Sequence, residues 1–182
     1  MALPREHNYT YQEWESMDFG ERRAELINGQ IYMMASASPR HQTILGGMFA
    51  QLYNHLRGKR CKPFIMLDVR LEKDTVLIPD LLVVCDPKKI TKSGCNGAPD
   101  LVVEILSPST SRHDRFTKLM LYQRAGVPEY WIVDPVDNTL TIHRLTEGGY
   151  TISVYGDTDT ATVNALPDFE MDLSMVFTEE GE

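Results

Sequence analysis

Three carboxylates lie inside two of the most apolar stretches of the chain. Asp80 sits in Ile78-Pro79-Asp80-Leu81-Leu82-Val83-Val84-Cys85, and Asp100 and Glu104 in Pro99-Asp100-Leu101-Val102-Val103-Glu104-Ile105-Leu106. Strands this apolar are buried on both faces, so their acids do not serve solubility. An ionised carboxylate there costs several kcal/mol unless a counter-charge meets it. Pairing segments 79–85 and 100–106 antiparallel through the loop 86–99 sets Asp80 against Glu104, within the reach of opposite or diagonal neighbours. Asp100 then falls at the far end, its Cα roughly 13 Å from that of Glu104 at about 3.3 Å per residue. It is assigned to structure. Two carboxylates with a main-chain carbonyl, that of Ile105, and several waters suit Mg²⁺, with Mn²⁺ as substitute, because these ions take oxygen ligands. No histidine or cysteine in the group favours zinc. Such an ion activates water and stabilises charge on a phosphoryl oxygen.

That chemistry lacks a cation near the attacking water, and Lys118 is the candidate. It falls in the second turn of the helix that follows Glu104, with Tyr122 one turn further on the same face and Gln123 beside it as supporting groups. Phe116, Leu119 and Met120 are expected to face the core. The alternatives are ordinary ones: Lys118 as a solvated helix lysine, and Asp80 as a strand cap paired with Arg70, which the preceding hairpin would put about opposite it. Asp68 and Arg70 are expected to share a charged network. Glu104 has the weakest structural explanation, since a glutamate so deep in a strand otherwise needs a buried ion pair. The histidines, among them His41, His55, His113 and His143, are scattered without ligand spacing.

The elements that must position these groups follow from punctuation and periodicity. Thr10 with Glu13 reads as a capping box opening a helix to about Met17. Ala24 to Ile27, Asn28-Gly29 and Gln30 to Met34 form a β-hairpin, because Asn-Gly favours the turn with positive φ at both positions. After Ser38-Pro39, Ile44, Leu45, Met48, Phe49, Leu52 and Leu56 recur at helical spacing to Arg57, with Gly58 as the stop. Gly46-Gly47 in this helix points to close approach of another backbone. A strand from Phe64 to Leu71, the turn 72–75 and the two apolar strands follow. Ser111 with Asp114 resembles a second capping box, for a helix running to about Ala125 that Gly126-Val127-Pro128 ends. Strands are expected over Glu129–Asp134, Thr139–Leu145 and Tyr150–Tyr155, with Tyr130-Trp131 in the core or an interface; the tail 161–177 has no clear pattern. No repeat, linker or low-complexity segment divides residues 1–182, so one domain of α/β or α+β type is expected, a mixed sheet flanked by helices.

The 182 residues carry a formal net charge of -8. That counts against a general nucleic-acid coat, whose binding rests on clustered Lys and Arg, but not against an enzyme whose bound metal inverts the local field. Cys61, Cys85 and Cys95 are odd in number and lack CxxC spacing, which argues for free thiols in a reducing compartment. The start Met-Ala-Leu-Pro-Arg-Glu-His lacks an apolar signal region, and no run approaches the roughly 20 apolar residues of a membrane span. A cytoplasmic protein without a membrane partner is expected.

Pro79-Asp80, then Glu104-Ile105-Leu106-Ser107-Pro108-Ser109-Thr110, Lys118, Tyr122, Gly126-Val127 and Glu129-Tyr130-Trp131-Ile132-Val133-Asp134 together resemble the Uma family of bacterial endonucleases, within the restriction-endonuclease-like PD-(D/E)xK superfamily. Glu25-Leu26-Ile27-Asn28-Gly29 and Asp68-Val69-Arg70-Leu71 extend the resemblance from about Tyr9 to Phe177. It implies a core of helix, three antiparallel strands, helix and a further strand, extra hairpins, and metal-dependent hydrolysis of DNA phosphodiesters. It further implies that Asp80 and Glu104 hold Mg²⁺, that Lys118 positions the water, and that Glu25 supports the site, although Glu25 could equally pair with Arg22 or Arg23. The superfamily lysine two residues after the glutamate is Leu106 here, so Lys118 must fill its role from the helix. By analogy with enzymes that cut both strands, a homodimer is expected. A catalytically degenerate module that binds DNA or protein is the competing reading. A carboxylate-pair glycosidase is a weaker one, since the apolar strands and Lys118 suit a phosphate better than a sugar.

Overall fold

A computed structural model describes residues 7–107 and 112–178. Capping decides where its helices begin. Helix α1 (Tyr11–Glu15) starts at the Thr10/Glu13 capping box, and α2 (Pro39–Leu56) starts at Ser38, whose hydroxyl accepts the His41 N–H while Pro39 takes the first turn. Gly58, at φ +77°, lies just past the end of α2. The hairpin β1 (Ala24–Ile27) and β2 (Gln30–Met33) turns through Asn28 and Gly29 at φ 50° and 79°.

The expected strand from Phe64 to Leu71 is two strands, β3 (Lys62–Ile65) and β4 (Val69–Glu72). Met66 separates them at φ 49°, a left-handed conformation that ends an extended run and sends the chain to another sheet. There follow β5 (Thr75–Leu77), β6 (Leu81–Val84), β7 (Ile90–Thr91), β8 (Gly94–Asn96) and β9 (Leu101–Ile105). The segment expected as a plain loop, 86–99, therefore holds a short hairpin of its own. Beyond β9 a π-helical stretch, His113–Lys118, runs into α3 (Leu119–Ala125), closed by Gly126 at φ 81°. The expected capping box at Ser111 lies outside the described residues. Strands β10 (Glu129–Asp134), β11 (Thr139–Thr146) and β12 (Gly149–Tyr155) complete the main body. The tail is more regular than its sequence suggests: β13 (Thr160–Thr162) pairs with β14 (Glu170–Asp172).

Two six-stranded mixed sheets result, ordered β12-β11-β10-β9-β6-β3 and β2-β1-β5-β4-β8-β7. In the first, β3, β6 and β9 are antiparallel neighbours and β10 returns parallel to β9 after α3. The odd-numbered side chains of β6 and β9, Leu81, Val83, Leu101, Val103 and Ile105, pack with α2 and the tail; Leu82, Val102 and Tyr130 pack with α3 and the second sheet. The first sheet is thus covered on both faces, which explains why its strands carry so few polar residues. In α2, Gly47 meets the main chain of the tail, a Cβ there falling 3.0 Å from the Met175 carbonyl oxygen, whereas Gly46 has open space. Phe116 and Met120 do not face the core; they are 66% and 63% exposed. The inward stripe of this helix is taken by Asp114, Lys118 and Tyr122 at i, i+4 spacing, so the residues between them turn outward.

The cysteines depart from expectation. Register Lys62↔Val84 makes Cys61 and Cys85 the next opposed pair beyond the ladder, and they form a disulfide. Free thiols therefore give no argument for a reducing compartment. Cys95 remains a buried thiol whose pKa burial raises to about 11, from 9.0. A folded-state pKa above the unfolded one favours folding below about pH 9, a contribution lost as the pH rises towards 11. Thiol titration should find one reactive group in denaturant and three after reduction, with little native reaction at pH 8. Three groups in denaturant without reductant would contradict the bridge.

Candidate active site

The ladder of β6 and β9, Leu81↔Val103, Leu82↔Val102 and Val83↔Leu101, continues by one step to set Asp80 against Glu104. Asp100 lies at the opposite end, where its carboxylate accepts the Cys85 N–H at 2.7 Å. Asp80 and Glu104 are both buried, yet each is anchored by a different layer. Asp80 Oδ2 accepts the Ile105 N–H at 2.7 Å and lies 3.1 Å from His41 Nε2 on α2. Glu104 Oε1 lies 2.9 Å from Lys118 Nζ and accepts the Tyr122 hydroxyl at 3.1 Å, both from the helix that follows.

Lys118 is only 3% exposed, so the solvated reading is excluded. Its ammonium meets three carboxylates from three elements: Glu104 of β9, Glu25 of β1 at 3.0 Å, and Asp114, one turn back, at 3.2 Å. Glu25 Oε1 also accepts the Ile78 N–H at 2.8 Å, two residues before Asp80. The π-helical stretch lets Asp114 and Lys118 face inward together, and the Tyr130 hydroxyl donates to the Asp114 carbonyl at 2.9 Å. Such widened turns recur at functional sites.

Charge in this pocket is out of balance. Asp80, Glu104, Glu25 and Asp114 are opposed by Lys118 and the His41 ring alone among the contacts described. Burial holds the Glu104 carboxyl well above the usual range; Lys118 pulls it down, while Asp114, Asp80 and Glu25 push it further up. Burial disfavours the Lys118 ammonium, but Glu104, Glu25 and Asp114 outweigh it and raise its pKa well above normal. The lysine is a fixed positive charge. Burial likewise raises the Tyr122 hydroxyl well above its ordinary value, with Glu104 adding to it, so Tyr122 is a hydrogen-bond donor here.

Of the residues expected at the site, Asp80, Glu104, Ile105, Lys118, Glu25 and Tyr122 come together. Arg70 does not: β4 lies in the other sheet, and its guanidinium stacks over the Tyr11 ring at 4.2 Å. Asp68 pairs with Arg23 rather than Arg70. Gln123 points at the β11–β12 turn, accepting the Tyr150 N–H at 3.3 Å. Sequence reasoning missed His41 and Asp114. The i, i+4 spacing of Asp114, Lys118 and Tyr122 could have marked the second; no periodic signal marks the first. Tyr130 and Trp131 are fully buried core residues.

Comparison with known proteins comes to the same fold. Residues 9–175 match the family described as "Uma2: Putative restriction endonuclease". The chain is 29% identical over 161 residues to the uncharacterized protein slr1290 of Synechocystis, covering 86% of this chain and 83% of that one. A solved structure from Anabaena variabilis, described as "a putative nuclease belonging to DUF820", matches with a TM-score of 0.79 over 93% of this chain and 97% of the other. At 19% identity that likeness concerns the fold alone.

The Lys118 cluster makes a direct prediction. Lys118→Met leaves three buried carboxylates without their shared cation and should lower stability in urea unfolding by about 3–5 kcal/mol. Glu25→Gln, which removes only one of the three, should cost less. A loss under about 1 kcal/mol for Lys118→Met would contradict the cluster.

Proposed function

Because the chain belongs to the family described as "Uma2: Putative restriction endonuclease", we propose that it hydrolyses DNA phosphodiester bonds as a Mg²⁺-dependent endonuclease, with Mn²⁺ as substitute. The observation that carries this reading is the cluster of four buried acids around Asp80 and Glu104, met among the described residues by Lys118 and His41 alone; a divalent cation would balance their ionised form. Among the described residues no three His, Cys, Asp or Glu side chains are grouped to cage an ion. Two carboxylates, Asp80 and Glu104, with the Ile105 carbonyl and water are the kind of open oxygen set that Mg²⁺ accepts. When bound there, the ion lowers the pKa of its water and neutralises charge on the phosphate.

The chain's own groups supply the rest. Lys118, held by three carboxylates, is a fixed ammonium beside Glu104 that orients the attacking water and stabilises the charge developing on the phosphoryl oxygens. Glu25 and Asp114 keep that ammonium in place, and Tyr122 restrains Glu104. Leu106 stands where the superfamily places its lysine, and it is buried. That observation favours the second reading, a nuclease fold retained as a DNA-binding or protein-interaction module. Incubation with supercoiled plasmid separates the two. Nicking with Mg²⁺ or Mn²⁺ is expected, abolished by EDTA and by Asp80→Ala or Glu104→Ala, and slowed about a hundredfold or more by Lys118→Ala. No nicking and no ion binding would leave the module reading.

By analogy with enzymes that cut both strands as dimers, a second copy is expected, and β12 is the edge that suits the purpose. Residues 149–155 carry no charge, and Ile152 and Val154 are each 64% exposed. Antiparallel pairing about Ile152 would set it against Ile152 of a second copy and Tyr150 against Val154, extending the sheet. Light scattering should give a dimer that Ile152→Lys converts to monomer. A wild-type monomer at tens of micromolar protein would rule this interface out.

A further inference from the structure

His41 has no part in the motif, yet its ring touches Asp80, one of the groups that would face the ion. It is the third residue of α2, fixed by the Ser38 cap, and it is buried, its side chain 11% exposed. Nε2 lies 3.1 Å from Asp80 Oδ2, the oxygen that also accepts the Ile105 N–H. We propose that His41 is the positioning residue of Asp80: by holding Oδ2 it fixes the carboxylate plane and leaves Oδ1 to meet the cation.

This rests on the reading that Asp80 holds the metal. Three features separate it from a plain helix anchor. Asp80 lies just before β6, where its carbonyl accepts the Met66 N–H at 3.1 Å; that bond fixes the main chain but not the side chain, so the carboxylate needs its own donors to hold one rotamer. Among the described residues both donors converge on the same oxygen, an arrangement that selects which oxygen is left over. Glu104 is restrained separately by Lys118 and Tyr122, so the two carboxylates are held by side chains from different helices. His41 Nδ1 makes no hydrogen bond, so nothing but the Asp80–Ile105 corner sets the ring's polar contacts among the described residues. Burying a histidine and an aspartate together gives less stability than an apolar pair of similar volume, and orienting a ligand is what such outer partners commonly do.

The test is Mn²⁺ binding to the full chain, followed by the EPR signal of the free ion and by calorimetry, for wild type, His41→Gln, His41→Leu and Asp80→Ala, with urea unfolding alongside. His41→Gln keeps an N–H donor; His41→Leu removes it. The expected result is Mn²⁺ affinity lowered roughly 10- to 100-fold in His41→Leu, largely recovered in His41→Gln, with no directly bound nitrogen in the pulsed EPR spectrum. Unchanged affinity in folded His41→Leu overturns the proposal while leaving the metal reading intact. If His41→Leu does not fold, His41→Gln decides: near-wild-type affinity supports the proposal, and a loss as large as that of Asp80→Ala overturns it. A nitrogen coupled directly to Mn²⁺ also overturns it, making His41 a ligand. Wild-type protein that binds no Mn²⁺, or binding untouched by Asp80→Ala, removes both readings together.

Discussion

Everything around the site depends on one buried ammonium. Lys118 joins Glu104 in the middle of one sheet, Glu25 in the hairpin of the other, and Asp114 on its own helix, at 2.9, 3.0 and 3.2 Å. A lone lysine in this setting would lose its charge to burial; three carboxylates keep it. The same contacts tie the two sheets together at the point where the chain passes from β5 to β6. Glu25 accepts both the Lys118 ammonium and the Ile78 N–H, so the segment that carries Asp80 is fixed by the same carboxylate that fixes the lysine.

Stability alone does not account for such a cluster, because well-packed apolar residues of similar volume often do as well or better. Its net charge is its chemical meaning. Four acids face one lysine and one histidine among the described contacts; burial holds the Glu104 carboxyl well above the usual range, and the neighbouring Asp114, Asp80 and Glu25 add to the shift against the pull of Lys118. In the function proposed above, a cation that takes oxygen ligands would correct the imbalance, and the fixed ammonium beside it would stabilise charge on a transferring phosphoryl group.

The opposition of Asp80 and Glu104 was legible because strand periodicity is two and both acids interrupt otherwise apolar runs; one register then determines their distance. The hairpin at Asn28-Gly29 and the starts of α1 and α2 were legible because turns and caps are local chemistry. Lys118 could be placed on the right face by counting along a helix. What could not be read are contacts set by packing between distant elements. His41 reaches Asp80 only because α2 crosses the face of β6 and β9, and nothing within α2 announces that. Arg70 was misplaced because Met66, an ordinary residue in a left-handed conformation, diverts β4 into the second sheet. Cys61 and Cys85 pair through a register that their spacing does not reveal.

The account turns on whether this pocket holds a metal ion at Asp80 and Glu104. Anomalous diffraction from crystals soaked in Mn²⁺ measures that directly. A peak within about 2.0–2.6 Å of oxygens of both carboxylates, with Lys118 still held beside Glu104, is the predicted result. No peak, with Lys118 or His41 spanning the two carboxylates in its place, would contradict it.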